Sequence, residues 1–219
     1  MEIEKDLEAE LQWRIEIFSY LKTIPKRRAF SDKEQEIYYN SIIPIIYSHL
    51  EGYINKAINI YSTYINKLKI NYLEYHPNIL LYIIENKYNN VFEDAIKNSS
   101  SKDKIINRFC QDIKDNEMAI PIKANRNMNM NCKRINSLLN SFNVKPISEK
   151  KYEGKLDALL GKRNCIAHGE ANIQVSDTDI TDYIKLVSDV IEDIIINIVE
   201  AYNNNDYYNN EIKNKLNNI

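Results

Sequence analysis

The chain has 219 residues, 44% hydrophobic and 27% charged, with a formal net charge of −2. This is ordinary globular composition, and a chain of this length buries a sizeable core without a disulfide or metal staple. It excludes a polybasic nucleic-acid coat, so any RNA site must be a local patch, and four glycines with five prolines are too few turn residues for an all-β fold.

Taken in chain order, the pattern is helical almost throughout. Ile3, Leu7, Leu11, Ile15, Phe18 and Leu21 recur at spacings of three and four and predict a helix over residues 2–23. Pro25 and the cluster Lys26, Arg27, Arg28 end it, and Ser31-Asp32-Lys33-Glu34 has the form of a capping box for the next helix. A long helix is predicted over residues 40–70, with an apolar face so wide that burial on more than one side is expected. Pro44 fits only near the start of that helix, where its missing N–H costs little.

Further helices are predicted over 78–97 and about 102–115. The stretch 116–131 has no periodicity and reads as an irregular loop inserted before the motif helix. A short helix over 132–142 carries Ile135, Leu138, Leu139 and Phe142 on one face. Residues 149–166 lead helically to Gly169, a natural helix stop. Ser176 then caps a helix over 177–204 whose Ile180, Ile184, Val187, Ile191, Ile194 and Ile198 step 4, 3, 4, 3, 4, the signature of a bundle seam or a dimer seam. The reading is one all-α domain over 1–205 and an Asn-rich tail over 206–219, in which Ile212 and Leu216 could prolong a helix.

Cys110, Cys132 and Cys165 are odd in number and without paired spacing, which suits a reducing cytosol. The N-terminus is acidic and amphipathic, unlike a signal peptide, and no stretch reaches the roughly 18 apolar residues of a membrane span. A cytoplasmic protein with no membrane partner is expected. The sequence lacks a P-loop, a dinucleotide-binding glycine turn, a GxSxG elbow and a CxxC. His49, His76 and His168 have no metal-ligand spacing, so neither metal nor cofactor is expected.

The informative segment is Leu159-Leu160-Gly161-Lys162-Arg163-Asn164-Cys165-Ile166-Ala167-His168-Gly169. It sets a permanent guanidinium and an imidazole five residues apart at a helix end. On a straight helix the two lie about 140° apart. Either the helix breaks between them or a second chain completes the site. The pair suits RNA cleavage without a metal. A histidine of near-neutral pKa can take a proton from a ribose 2′-OH or give one to the leaving 5′-oxygen, and an arginine fork can hold the phosphate. The blander reading is that Arg163 and His168 merely serve the carbonyls and dipole at a helix C-terminus. Cys165 reads as a buried, inert cysteine. Lys26-Arg27-Arg28, Lys123 with Arg126, and Lys133-Arg134 are candidate phosphate holders only if they lie near that cleft.

The segment LLGKRNCIAHGE resembles the R-x4-6-H core motif of the HEPN superfamily, with Asn164 as the polar residue after the arginine. SIIPIIYSHLEGYINKA, residues 41–57, resembles an early helix of the defence-associated, MAE-type HEPN branch, and residues 127–145 resemble the short helix before its motif helix. The resemblance spans about residues 37–200. It implies a helical bundle, a homodimer and a ribonuclease site between protomers, with Arg163 and His168 catalytic and Asn164 in support. Glu51, on the second helix, is a candidate to orient Arg163 or His168, with an ordinary solvated carboxylate as the alternative; His49 is assigned no role. HEPN proteins that pair with a nucleotidyltransferase antitoxin often carry a tyrosine two residues after the motif histidine, where this chain has Glu170. The expected activity is that of a metal-independent endoribonuclease, acting as a toxin or anti-phage effector on an RNA substrate and held by an antitoxin or defence partner. The alternative is a catalytically silent HEPN module that dimerises and binds RNA or protein.

Overall fold

The computed structural model describes residues 1–97, 107, 109–114, 119–122, 129–170 and 173–217. Seven helices organise them: α1 (Glu2–Arg27), α2 (Asp32–Lys67), α3 (Pro77–Lys97), α4 (Cys132–Ser141), α5 (Glu149–Ala167), α6 (Asp177–Asn203) and α7 (Asn210–Asn217). Among the described residues there is no strand, only an isolated bridge between Tyr75 and Tyr208. Residues 109–114 are also helical, while the rest of the expected 102–115 helix, along with Lys123 and Arg126, lies outside the described residues.

Helix α2 is the axis of the bundle. It packs against α1, α5 and α6, which is why its apolar face is so wide: Ile42, Ile43, Ile46, Leu50, Tyr53, Ile54, Ala57, Ile58, Tyr61 and Ile65 are all buried. Each large apolar side chain among them contributes about 1.5–3 kcal/mol on burial. The helix begins at Asp32, a full two turns before the periodicity shows. Ser31 accepts from the Glu34 N–H, and Glu34 reaches back to the Ser31 N–H at 2.9 Å, so the capping box overrides a polar first turn. Pro44 is thus an interior residue rather than an N-terminal one. It removes the N–H that would meet the Asn40 carbonyl. The surrounding burial holds the helix through it.

The seam on α6 is consumed inside the chain. Ile180, Ile184, Val187, Ile191, Ile194 and Ile198 are all buried, against α2, α1 and α5. It is a bundle seam, so any dimer contact must be sought elsewhere.

The ends of the 116–131 stretch are pinned, because Ile120 exchanges two hydrogen bonds with the Asn66 side chain at 2.8 and 2.9 Å and both Ile120 and Met130 are buried. The described residues after Asn203 are held against the bundle. Tyr207 is buried, the His76 N–H donates to its carbonyl at 2.8 Å, and Asn209 donates to Glu74 at 2.7 Å before α7 begins. No helix among the described residues is long and apolar enough to cross a membrane.

Candidate functional site

Helix α5 presents Tyr152, Leu156 and Leu159 to the core. Arg163 continues that stripe, four residues further on and one turn before the helix ends. It therefore points back over α2 rather than outward. Its guanidinium carbon lies 5.1 Å from the centre of the Tyr47 ring, within cation–π range. Its Nη1 donates to the Asn164 side-chain carbonyl at 2.8 Å.

Tyr47 is buried, and its hydroxyl accepts the Met130 N–H at 2.5 Å. Glu51 follows one helical turn along α2, close enough for its charge to act on the hydroxyl. Glu51 also lies near the Met130 N–H and feels the Arg163 charge. Burial pushes its carboxyl above the usual carboxylate range, and Tyr47, Arg163 and Met130 only partly offset this. Burial likewise raises the Tyr47 phenol, with the Glu51 charge adding to it. Glu51 is thus half-buried within reach of the Arg163 charge, unlike an ordinary solvated carboxylate. From its helical spacing Tyr47 reads as core or interface, and it is in the core, with its place beside Arg163 not legible there. The available signal was its i,i+4 spacing from Glu51.

His168 sits on the other side of the helix end. The helix is unbroken through Ala167, so the angular offset between Arg163 and His168 remains, and no hydrogen bond joins them. The end is closed by a Schellman motif. The Glu170 N–H donates to the Cys165 carbonyl at 3.0 Å and the Gly169 N–H to the Ile166 carbonyl at 3.1 Å. Gly169 takes φ 71° to make that turn, a conformation any Cβ would strain. The His168 N–H donates to the Asn164 carbonyl at 2.9 Å, and its imidazole is exposed. The Asn164, Cys165 and Ile166 carbonyls are thus taken up by backbone N–H groups, without either side chain.

The remaining candidates fall elsewhere. Cys165 is half-buried rather than buried; a hydrogen bond with Glu170 leads the causes that raise its thiol, which keeps it protonated. Lys133 pairs with Glu153 at 3.1 Å, and Arg28 lies over Phe30 at 5.8 Å. His49 turns away from Arg163 to meet Trp13 and Phe18 at 5.3 and 5.2 Å. Burial, then the Arg14 charge, lowers its pKa. Among the described residues no three His, Cys, Asp or Glu side chains gather as metal donors.

The Glu51 environment has a thermodynamic consequence. Its folded-state pKa exceeds its unfolded value, so the folded chain holds the extra proton between them and stability falls as pH rises through that window. Glu51→Gln should therefore melt above wild type at neutral pH and converge with it below about pH 4, where both side chains are neutral. A variant that melts below wild type at neutral pH would show instead that attraction to Arg163 outweighs the desolvation.

Residues 3–207 match the family described as HEPN_MAE_28990-like HEPN. No curated protein and no solved structure shows significant similarity to the chain. The match covers nearly the whole bundle, from the first buried turn of α1 to Tyr207, and takes in both the α2 cluster and the capped end of α5. The chain belongs to the HEPN superfamily, in its MAE-type branch.

Proposed function

We propose that this protein is a metal-independent endoribonuclease, a toxin or anti-phage effector that cuts RNA by attack of the substrate's own 2′-OH. The observation that carries this reading is the end of α5. It offers an exposed imidazole one turn beyond a guanidinium that stacks on Tyr47, donates to Asn164 and lies within reach of the Glu51 charge.

In the reaction, the 2′-oxygen attacks phosphorus as an imidazole accepts its proton, and the P–O5′ bond breaks as the 5′-oxygen gains one. The products are a 2′,3′-cyclic phosphate and a 5′-hydroxyl. Arg163 holds the phosphate and stabilises the charge that builds on it. Glu51 and Tyr47 hold the guanidinium in place beforehand, so little ordering is left for the substrate to supply. His168 serves as the proton-transfer residue. Base and acid duties can be divided between two histidines from two protomers, since one chain places a single imidazole here.

The test uses an RNA oligonucleotide and its twin with 2′-deoxyribose at the cut position. Cleavage should persist in EDTA, yield the cyclic phosphate end, and be absent from the deoxy twin. Efficient cutting of the deoxy twin, or activity lost in EDTA and restored by magnesium, sinks the mechanism and leaves the family assignment intact.

A further inference from the structure

Asn40 of α2 carries an amide that the fold leaves without a partner. The residue is half-buried, and its Oδ1 is shielded from solvent yet accepts no hydrogen bond. The Tyr61 and Ser62 hydroxyls also lack partners, but those residues are fully buried in the core near the far end of α2. Asn40 is set beside the candidate site. Round α2 it lies within about 20° of both Tyr47 and Glu51, two turns before Tyr47. Helix α5 runs antiparallel to α2. Tyr152 and Lys162 of α5 reach Asp193 and Asp179 of α6, whereas Tyr39 and Tyr61 of α2 reach Asp177 and Tyr202. From Arg163, over Tyr47, the five residues to His168 therefore advance about 7.5 Å towards the start of α2, which leaves His168 within a turn of the Asn40 level. Half-buried Pro44 stands on the same face of α2, between the Asn40 amide and the Tyr47–Arg163 stack.

We propose that Asn40 is a specificity-determining residue, whose amide binds the edge of a nucleobase next to the phosphate held by Arg163; the ligand class rests on the nuclease reading. Single-stranded RNA is read through the edges of unstacked bases. A side-chain amide sets an acceptor beside a donor, which matches the paired donor and acceptor of such an edge. The seven residues from Asn40 to Tyr47 span about 10 Å, comparable with the reach of one nucleotide from its phosphate to its base edge. Pro44 supplies an apolar surface along that path. A shielded acceptor without a partner is a cost that a base N–H removes. The side chain makes no hydrogen bond among the described residues, so it can turn towards the base and break nothing in doing so.

The experiment compares wild type with Asn40→Ala in two assays and a melt. One assay follows cleavage of RNA with each of the four bases placed in turn on either side of the cut. The other follows binding, by fluorescence anisotropy, of four short single-base oligonucleotides blocked throughout by 2′-O-methyl groups. Wild type should favour its best base over its worst by about 10-fold, the scale of one hydrogen bond to a shielded acceptor. Asn40→Ala should flatten that preference in both assays, and it should melt no lower than wild type, because it gives up no hydrogen bond. A wild type that treats the four bases alike or binds none of them overturns the proposal. So does a preference that survives Asn40→Ala, or a marked fall in its melting temperature, which would make the amide a structural one. A binding preference that Asn40→Ala abolishes, in a protein that never cuts RNA, supports the base contact and counts against the nuclease reading alone.

Discussion

His168→Ala should lower the rate of RNA cleavage by at least about 100-fold, the usual scale for removing a general acid–base group. The imidazole is exposed at a helix end whose backbone is closed by Gly169 and Glu170. Its loss should therefore leave the melting temperature near that of wild type. Arg163→Lys should fail to rescue activity, although it keeps the charge. A single ammonium cannot grip Asn164 and a phosphate at once or lie flat over the Tyr47 ring as a planar fork does. Growth arrest on expression should vanish with either change. If His168→Ala cuts RNA at close to the wild-type rate, the imidazole is a bystander and the silent-module reading gains.

The end of α5 was legible because its signals are local. An arginine, a polar neighbour, a histidine and a glycine with positive φ follow one another in a single stretch, and the family pattern resides in the same residues. The Ser31–Glu34 box was legible for the same reason, while the extent of α2 was not, because a polar first turn carries no periodicity and Pro44 argues for a start nearby. The α6 seam could be read as a seam but not as an interior one, since the 4, 3, 4 pattern is the same whichever chain fills the opposite side.

The segment His49-Leu50-Glu51-Gly52 shows most clearly what a sequence leaves unresolved. Successive residues point in different directions on a helix, so one motif serves two sites. Leu50 is buried in the core, Glu51 lies within reach of the Arg163 charge, and His49 and Gly52 face Arg14 of α1. Arg14 belongs to an acidic, amphipathic helix, and nothing local says that it is buried. That burial follows from where α1 crosses α2.

Replacing this buried arginine should produce the largest change in stability. Arg14 is 4% exposed. Its Nη1 pairs with Glu10 at 2.8 Å and also donates to the Glu10 backbone carbonyl, while its carbon lies 4.2 Å from the Trp13 ring and 5.3 Å from that of Tyr53. A Cβ on Gly52 would stand 3.6 Å from Nη2, so the glycine leaves the guanidinium its room. Burial raises the Glu10 carboxyl, but the bonds from Arg14 and Trp13 and the charges of Arg14 and Lys56 outweigh it and leave the pKa lowered. Arg14→Ala removes the counter-charge and opens a cavity under two aromatic rings. The loss should be about 3 kcal/mol, the low end for breaking a buried pair, since Lys56 remains 3.6 Å from Glu10. For a domain of this size that is roughly a 10 °C fall in melting temperature. Arg14→Met with Glu10→Gln fills the space and removes both charges, and should stay within about 1 kcal/mol of wild type. Differential scanning calorimetry separates the outcomes. If the double variant melts as low as Arg14→Ala, the ion pair stabilises α1 on α2 outright, and the account in which only its breakage is costly fails.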